Sequence, residues 1–281
     1  MYQKERKQQI LYLLQEKNEM TVAELSRLLF TSESSIRRDL QTMELSGLVK
    51  RTHGGVKLLS DNPTIVPFAS RLHYKVAEKK KMAKKALSYI QDGQVIFLDQ
   101  SSSALFLAHE LVNRRQVTII TNNIEILATM AKSELKVYAS GGYICPTNRN
   151  CLIGEDAHEI FRKTHADLLF FSTKALSSDG ALYDATREEI HIHNAMLENS
   201  ARKYFLCDSG KFDSYASYLQ CTLSELDGMI SEAAIPERFA KFLPDPDRAQ
   251  DSAHLKRKML ILHQEKRVCP AHQTPALRTS A

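Results

Sequence analysis

From residue 95 onward the chain repeats one unit: a short apolar run followed by a stretch of helical periodicity. The runs are Val95–Leu98, 117–121, 135–139, Ala166–Phe171, 203–207 and Gly228–Ile230, rich in Val, Ile, Phe and Tyr. Helical stretches at 102–112, 124–132, Glu155–Lys163 and 187–199 lie between several of them. Repeated strand–helix units predict an α/β domain with a mainly parallel sheet covered on both faces. Ligands of such sheets sit beyond the carboxyl ends of the strands.

Polar residues concentrate at those ends. Asp99-Gln-Ser-Ser-Ser103 leads from the first run straight into a helix. Hydroxyls and free N–H groups at a helix N-terminus make an anion site, favoured also by the helix dipole. Thr121-Asn-Asn123 follows the second run and Gly141-Gly142 the third. Ser172-Thr-Lys174 and a turn at Asp179-Gly180 follow the fourth, and Asp208-Ser-Gly-Lys-Phe212 the fifth. Each of these alone reads equally well as a cap or a turn. Together, lysines, hydroxyls and glycines on one rim suit a small phosphorylated ligand with sugar-like hydroxyls.

The N-terminal sixty residues have a different grammar. Ile10, Leu11, Leu13 and Leu14 give a first helix its apolar stripe, and Thr21-Val-Ala-Glu24 is a capping box opening a second. Ser32 is a candidate N-cap for a third, in which Ile36, Leu40 and Met43, with Leu48 after it, share a buried face. Ser34, Ser35, Arg37, Arg38 and Gln41 fall largely on its exposed side. Gly47 marks its end, and a basic segment, 48–57, follows with Gly54-Gly55 suited to a tight hairpin. Three helices and a hairpin describe a winged helix-turn-helix, whose third helix suits a major groove and whose wing suits flanking phosphates.

At this point a family resemblance becomes specific. Ser32-Glu-Ser-Ser-Ile-Arg-Arg-Asp-Leu40 followed by Arg51-Thr-His-Gly-Gly55 resembles the DNA-binding signature of DeoR-type bacterial transcription regulators, with Ser35 where threonine is usual. The second half is similar to that family's effector-sensing domain, related in fold to ribose-5-phosphate isomerase and glucosamine-6-phosphate deaminase. The residues that carry this are Arg71, Glu78-Lys79, Leu98–Ser103, Thr121-Asn122, Gly141-Gly142, Gly154 and Asp208-Ser-Gly-Lys211. The resemblance implies that Ser32, Ser34, Ser35, Arg37, Arg38 and Gln41 meet the DNA bases, with Lys50, Arg51 and His53 on phosphate or the minor groove. It implies that Ser101, Ser102 and Ser103 hold an effector phosphate, that Asp99, Asn122, Lys174 and Lys211 line its sugar end, and that Arg71, Lys79, Thr121, Gly141 and Gly142 complete the effector site. Two departures stand out: Ser101 where the family commonly has glycine, and Ala175 where a glycine is frequent after the fourth strand.

The expected division is a DNA-binding unit over 1–58, a linker over 59–70, a sensing domain over 71–243 and a partly helical tail over 244–281. A basic helix is expected over 71–91. Among 281 residues, 43% hydrophobic and 25% charged content is ordinary for a soluble protein, and a net charge of +5 agrees with a polyanionic partner. No run of about 18 apolar residues, as a membrane span requires, occurs, and the charged N-terminus has no signal-peptide core. The five cysteines, Cys145, Cys151, Cys207, Cys221 and Cys269, lack C-x-x-C spacing and read as reduced thiols of a cytoplasmic protein.

The partners expected are a double-stranded DNA operator, a phosphorylated sugar and further copies of the chain, with no membrane, metal or cofactor. Two rival readings stay open. One is a DNA-binding regulator with a degenerate sensor, motivated by Ser101 and Ala175. The other is a sugar-phosphate isomerase or deaminase, which needs a carboxylate or His base beside the sugar. For that role the strand ends offer Asp99 and Asp179, no paired carboxylates are evident, and His191 and His193 read as surface histidines.

Overall fold

Three short helices bury one stripe each against a small sheet. They are α1 (Gln3–Lys17), α2 (Val22–Leu28) and α3 (Glu33–Leu45). The sheet comprises β1 (Glu19–Thr21), β2 (Val49–Thr52) and β3 (Gly55–Leu58), in the order β1-β3-β2 and antiparallel throughout. The computed structural model describes residues 3–17, 19–45, 48–58, 68–113 and 116–244. Gly47, residues 59–67 of the expected linker, Cys269 and the tail beyond Pro244 lie outside these.

The capping box forms. Thr21 Oγ1 accepts from Glu24 N at 3.1 Å, and Glu24 Oε2 accepts from Thr21 N at 2.8 Å. Ile36, Leu40, Met43 and Leu48 are buried with Ile10, Leu14, Leu25 and Val56 in one core. The hairpin turn is His53-Gly54, because Thr52 already pairs with Gly55, and Gly54 takes the left-handed φ of +84°. β1 was not foreseen: three residues of mixed polarity carry no period of their own, and pairing with β3 makes them a strand.

One charge sits inside this core. Asp39, in α3, is 1% exposed and accepts from Arg6 Nε at 2.6 Å and Gln3 Nε2 at 3.1 Å, both from α1. A buried carboxylate is tolerated only when paired. The pair therefore locks the orientation of α3 on α1.

The larger part begins with α4 (Phe68–His73) and α5 (Val76–Leu87). Thus 71–91 is not one helix. It breaks at Lys75, which adopts φ 49° and ψ 47°, a left-handed geometry that ends one helix and caps the next without a glycine. Next come β4 (Val95–Leu98), α6 (Ser102–Leu111), β5 (Thr118–Thr121), α7 (Ile124–Met130), β6 (Lys136–Ala139), β7 (Tyr143–Ile144), β8 (Leu152–Ile153) and α8 (Glu155–Lys163). The rest is β9 (Ala166–Phe171), β10 (Ala175–Leu176), β11 (Ala181–Asp184), α9 (Arg187–Glu198), β12 (Ser200–Leu206), β13 (Tyr218–Thr222), β14 (Gly228–Ile230) and α10 (Glu237–Ala240).

Six strands form one sheet in the order β14-β12-β9-β4-β5-β6, every neighbouring pair parallel. Side chains alternate between its faces. Ile96, Leu98, Leu168, Phe170 and Leu206 pack with Met82, Ala86, Leu105, Ala108 and Ile126 of α5–α7. Phe97, Leu169, Phe171 and Phe205 pack with Ala157, Phe161, Ile192 and Met196 of α8 and α9. Burial on both faces is why the strands read as unbroken apolar runs. A second, antiparallel sheet, β10-β11-β13, covers part of the α9 side.

The topology places the site. From central β4 the chain adds β5 and β6 on one side, then returns to add β9, β12 and β14 on the other. The reversal leaves a crevice between the carboxyl ends of β4 and β9, the usual ligand position in a doubly wound sheet.

Truncating Arg6 tests the α1–α3 lock. Arg6→Ala leaves Asp39 with the Gln3 hydrogen bond and is expected to cost roughly 3–5 kcal/mol in denaturant unfolding of the N-terminal unit. An unchanged midpoint would show that Asp39 does not depend on Arg6.

Candidate functional site

The crevice between β4 and β9 opens into a cavity of about 290 Å³. Seven of the residues singled out from sequence line it: Arg71, Lys79, Ser101, Ser102, Ser103, Lys174 and Lys211. The cavity has two chemically distinct groups of lining residues.

The first group is cationic. Ser101 caps α6, its Oγ accepting from Ala104 N at 3.0 Å and donating to Asp99 Oδ1 at 2.6 Å. Its side chain is thereby spent within the loop. The hydroxyls of Ser102 and Ser103 make no hydrogen bond among the described residues, and the first-turn N–H groups beside them have no intrahelical partner. Lys79 is 3% exposed and donates to the carbonyls of Arg71 and Tyr74, the latter at 2.8 Å. Burial, reinforced by the Lys211 ammonium, lowers its pKa to about 7. Lys211 donates to Ser172 Oγ, and the Arg71 guanidinium lies 5.3 Å over the Phe68 ring with its Nε unpartnered. Lys174 is exposed at the edge of the lining.

Asp208 balances this charge. Burial disfavours its carboxylate, but Lys211 and Lys75 outweigh that and hold its pKa below the ordinary value. Lys75 Nζ sits 3.0 Å from Asp208 Oδ1 and crosses the backbone at Gly210, where any Cβ would collide with the ammonium. A side chain at Gly210 would displace the Lys75 ammonium from Asp208.

The second group accepts hydrogen bonds. Asp184, Thr186 and Glu189, from the end of β11 and the start of α9, line the cavity with Asn148. All four are buried. Asn148 Nδ2 donates to Glu189 Oε1 at 2.8 Å, leaving Asn148 Oδ1 and Thr186 Oγ1 buried without partners. Burial and the neighbouring Glu189 carboxylate push Asp184 up to about 6. The sequence reading missed this paired-carboxylate arrangement, because Asp184 and Glu189 belong to the second sheet and the helix after it rather than to a parallel-strand end.

Asp99, Thr121, Asn122, Gly141 and Gly142 are not in the lining. Asp99 is fully buried behind it and accepts from Ser101 N at 3.1 Å, Ser172 N at 2.9 Å and His193 Nε2 at 3.1 Å. Asn122 donates towards Gln100 Oε1, Cys151 Sγ and Leu152 O, and Thr121 Oγ1 accepts from Asn123 N. Gly142, at φ +85°, is pressed against Ile153 O and Ala157 Cβ, so it closes the turn onto β8 and α8.

His193 corrects the expectation of a surface histidine. It is fully buried, with Nδ1 3.2 Å from Gln220 Oε1 and Nε2 on Asp99. Burial opposes its charge, but the Asp99 hydrogen bond and charge prevail and raise its pKa. His191 is exposed, as expected. Asp179 is exposed and bonds Ser177, outside the cavity lining. Cys145, Cys151, Cys207 and Cys221 are buried free thiols.

On the helix-turn-helix unit, Ser32, Ser34, Arg37, Arg38, Gln41, Lys50, Arg51 and His53 are exposed and Ser35 is half-buried. Arg37 pairs with Glu33 at 2.6 Å and Arg51 with Glu44 at 2.7 Å, whereas Arg38 has no ion pair among the described residues. Exposed pairs of this kind are worth little and exchange readily for phosphate or base contacts.

Lys79 gives the cavity a pH signature. An anion against it favours the ammonium form and raises a pKa that stands at about 7. Binding therefore takes up a proton above that pH, and affinity falls as pH rises through the raised value. Sulfate does not titrate in this range and is the suitable calorimetric probe, in two buffers of unequal ionisation enthalpy. Affinity independent of pH, with heats independent of buffer, would exclude Lys79 from the anion site.

Comparison with known proteins agrees with this arrangement. Residues 6–62 match the family model described as the DeoR-like helix-turn-helix domain, and residues 74–233 that of the DeoR C terminal sensor domain. The chain is 32% identical over 246 residues to the HTH-type transcriptional regulator GolR of Listeria innocua, covering 87% of this chain and 96% of that one. It is 27% identical over 246 residues to the glycerol-3-phosphate regulon repressor of Escherichia coli, covering 87% and 97%. Ribose 5-phosphate isomerase A of Methanocaldococcus jannaschii overlays on part of the chain, with 20% identity, a TM-score of 0.36, and 48% and 53% coverage. The chain belongs to the DeoR family of DNA-binding transcriptional regulators, a winged helix-turn-helix joined to a sugar-phosphate sensor domain.

Proposed function

We propose that the chain is a cytoplasmic, non-enzymatic repressor of a sugar-metabolism operon, released from its operator when a phosphorylated sugar enters the cavity. The observation that carries this reading is the cavity's two-part chemistry. Ser102, Ser103, Lys79 and Lys211 suit a phosphate, and Asp184, Glu189, Asn148 and Thr186 suit the hydroxyls of a short polyol. Asp99 acts from behind, holding the two loops, and Asn122 steadies Gln100. The relative named as a glycerol-3-phosphate regulon repressor is consistent with an effector of this class.

On DNA, α3 enters the major groove with Ser32, Ser34, Ser35, Arg37, Arg38 and Gln41, and the wing places Lys50, Arg51 and His53 on the backbone or minor groove. Arg38, which has no ion pair among the described residues, is assigned the bidentate contact to guanine, worth roughly 1–3 kcal/mol. Repeated half-sites call for a symmetric reader, so the sensing domain, taken as 71–243, is assigned self-association. The effector acts by binding the DNA-competent and incompetent forms unequally.

One observation supports a second reading. Asp184, raised to about 6 beside Glu189, is a plausible general base, so an isomerase or deaminase remains the rival. A degenerate sensor gains nothing from Ser101, whose hydroxyl turns back to Asp99 rather than into the cavity.

The test is binding to the chain's own promoter region, titrated against a panel of sugar phosphates. One compound should abolish binding, Arg38→Ala should lose the operator, and Lys211→Ala should hold the operator but ignore the compound. Unchanged operator affinity in Arg38→Ala would remove α3 from recognition. Turnover of a pentose or amino-sugar phosphate would establish the rival.

A further inference from the structure

The two histidines of His191-Ile-His193 face opposite ways. Glu189 and His193, four residues apart on α9, share the side turned to the cavity. His191 lies two residues from each and points away, towards α8. There its ring stacks on that of His158, centroids 4.2 Å apart and planes 11° from parallel.

His158 Nδ1 is buried and has no hydrogen-bond partner. Its nearest acid is Glu155, one helical turn earlier on α8, whose Oε1 lies 3.9 Å away, too far for a hydrogen bond. One ligand atom from each of Glu155, His158 and His191 falls within 4.8 Å of the others. Bonds of roughly 2.0–2.1 Å in a tetrahedron place ligand atoms about 3.4 Å apart. The lone pairs of parallel rings do not converge on one ion, so His191 must rotate out of its stack on His158; it and Glu155 are both exposed and are the side chains that turn. By contrast, the α8 and α9 backbones are fixed, since Ala157 and Phe161 pack with Ile192, Ala195 and Met196 in the main core.

We propose that Glu155, His158 and His191 form a site for a divalent transition-metal ion of the zinc class, bridging α8 and α9. Two imidazoles and one carboxylate are the donor set such ions take, and solvent at the exposed side completes four-coordination. A hard ion such as magnesium, which prefers an all-oxygen octahedron, is excluded by the same donors. The metal meets the unsatisfied Nδ1 of His158 and ties α8 to α9 on the face opposite Glu189 and His193. The site is separate from the cavity and shares no residue with it.

Zinc titration of the full chain by calorimetry tests this, comparing wild type with His191→Ala and Glu155→Gln. Both substituted residues are exposed, so the fold should be retained, and unchanged circular dichroism would verify it. Wild type should bind one equivalent that His191→Ala lacks or holds roughly tenfold or more weakly. His254, His263, Cys269 and His272 of the tail are alternative ligands. Cobalt distinguishes them: the proposed site gives d–d bands without the thiolate charge-transfer band that Cys269 would add. Equal stoichiometry and affinity in wild type and His191→Ala would overturn the proposal, as would a cobalt spectrum showing only thiolate ligation.

Discussion

The carboxylate of Asp99 holds the cavity together. It stands one residue past the central strand, where the sheet reverses direction, and its two oxygens receive groups from three separate elements. Oδ1 closes the serine loop onto itself, Oδ2 takes the backbone of the loop after β9, and His193 brings in α9. Each of these bonds, unmade, would leave a buried polar group stranded at a cost of about 1–3 kcal/mol. The serine loop, the loop after β9 and α9 are therefore tied together at one point of the cavity wall. The Lys75–Asp208–Lys211 cluster, tied by coulombic attraction, forms the side opposite Asp184 and Glu189 in charge.

The DNA-binding unit repeats this solution on a smaller scale. Asp39 faces inward from the same helix turn that presents Arg37 and Arg38 outward, so one short motif both anchors α3 and gives it an exposed basic face. On its outer surface, Glu33 and Glu44 pair with Arg37 and Arg51. Such exposed pairs cost little to break.

Much of this was legible in the sequence, for definite reasons. Strands β4, β9 and β14 match their apolar runs residue for residue, because a strand buried on both faces has no polar positions to blur its ends. The capping box at Thr21 and the serine cap before α3 are local chemistry and were visible as such. The second sheet was not: β10 has two residues, and β11 and β13 alternate polarity against loops. The break at Lys75 carries no proline or glycine to announce it. Asp184 and Glu189 meet only through tertiary packing, and the opposite fates of His191 and His193 depend on which face of α9 meets the core. The effector assignments for Asp99, Asn122 and Gly142 followed a motif whose members support the cavity wall instead of lining it.

Helix α4 has a property that follows from its size. Within six residues, Phe68 belongs to the α5–α7 core, Ala69 packs against the helix-turn-helix core, and Arg71 lines the cavity. A helix so short has almost no stability of its own, and its position is set by what it touches. It cannot absorb a shift at one contact by bending, since there is scarcely more than one turn to bend. The cavity lining and the core of the DNA-reading module are thus separated, along this helix, by less than one turn.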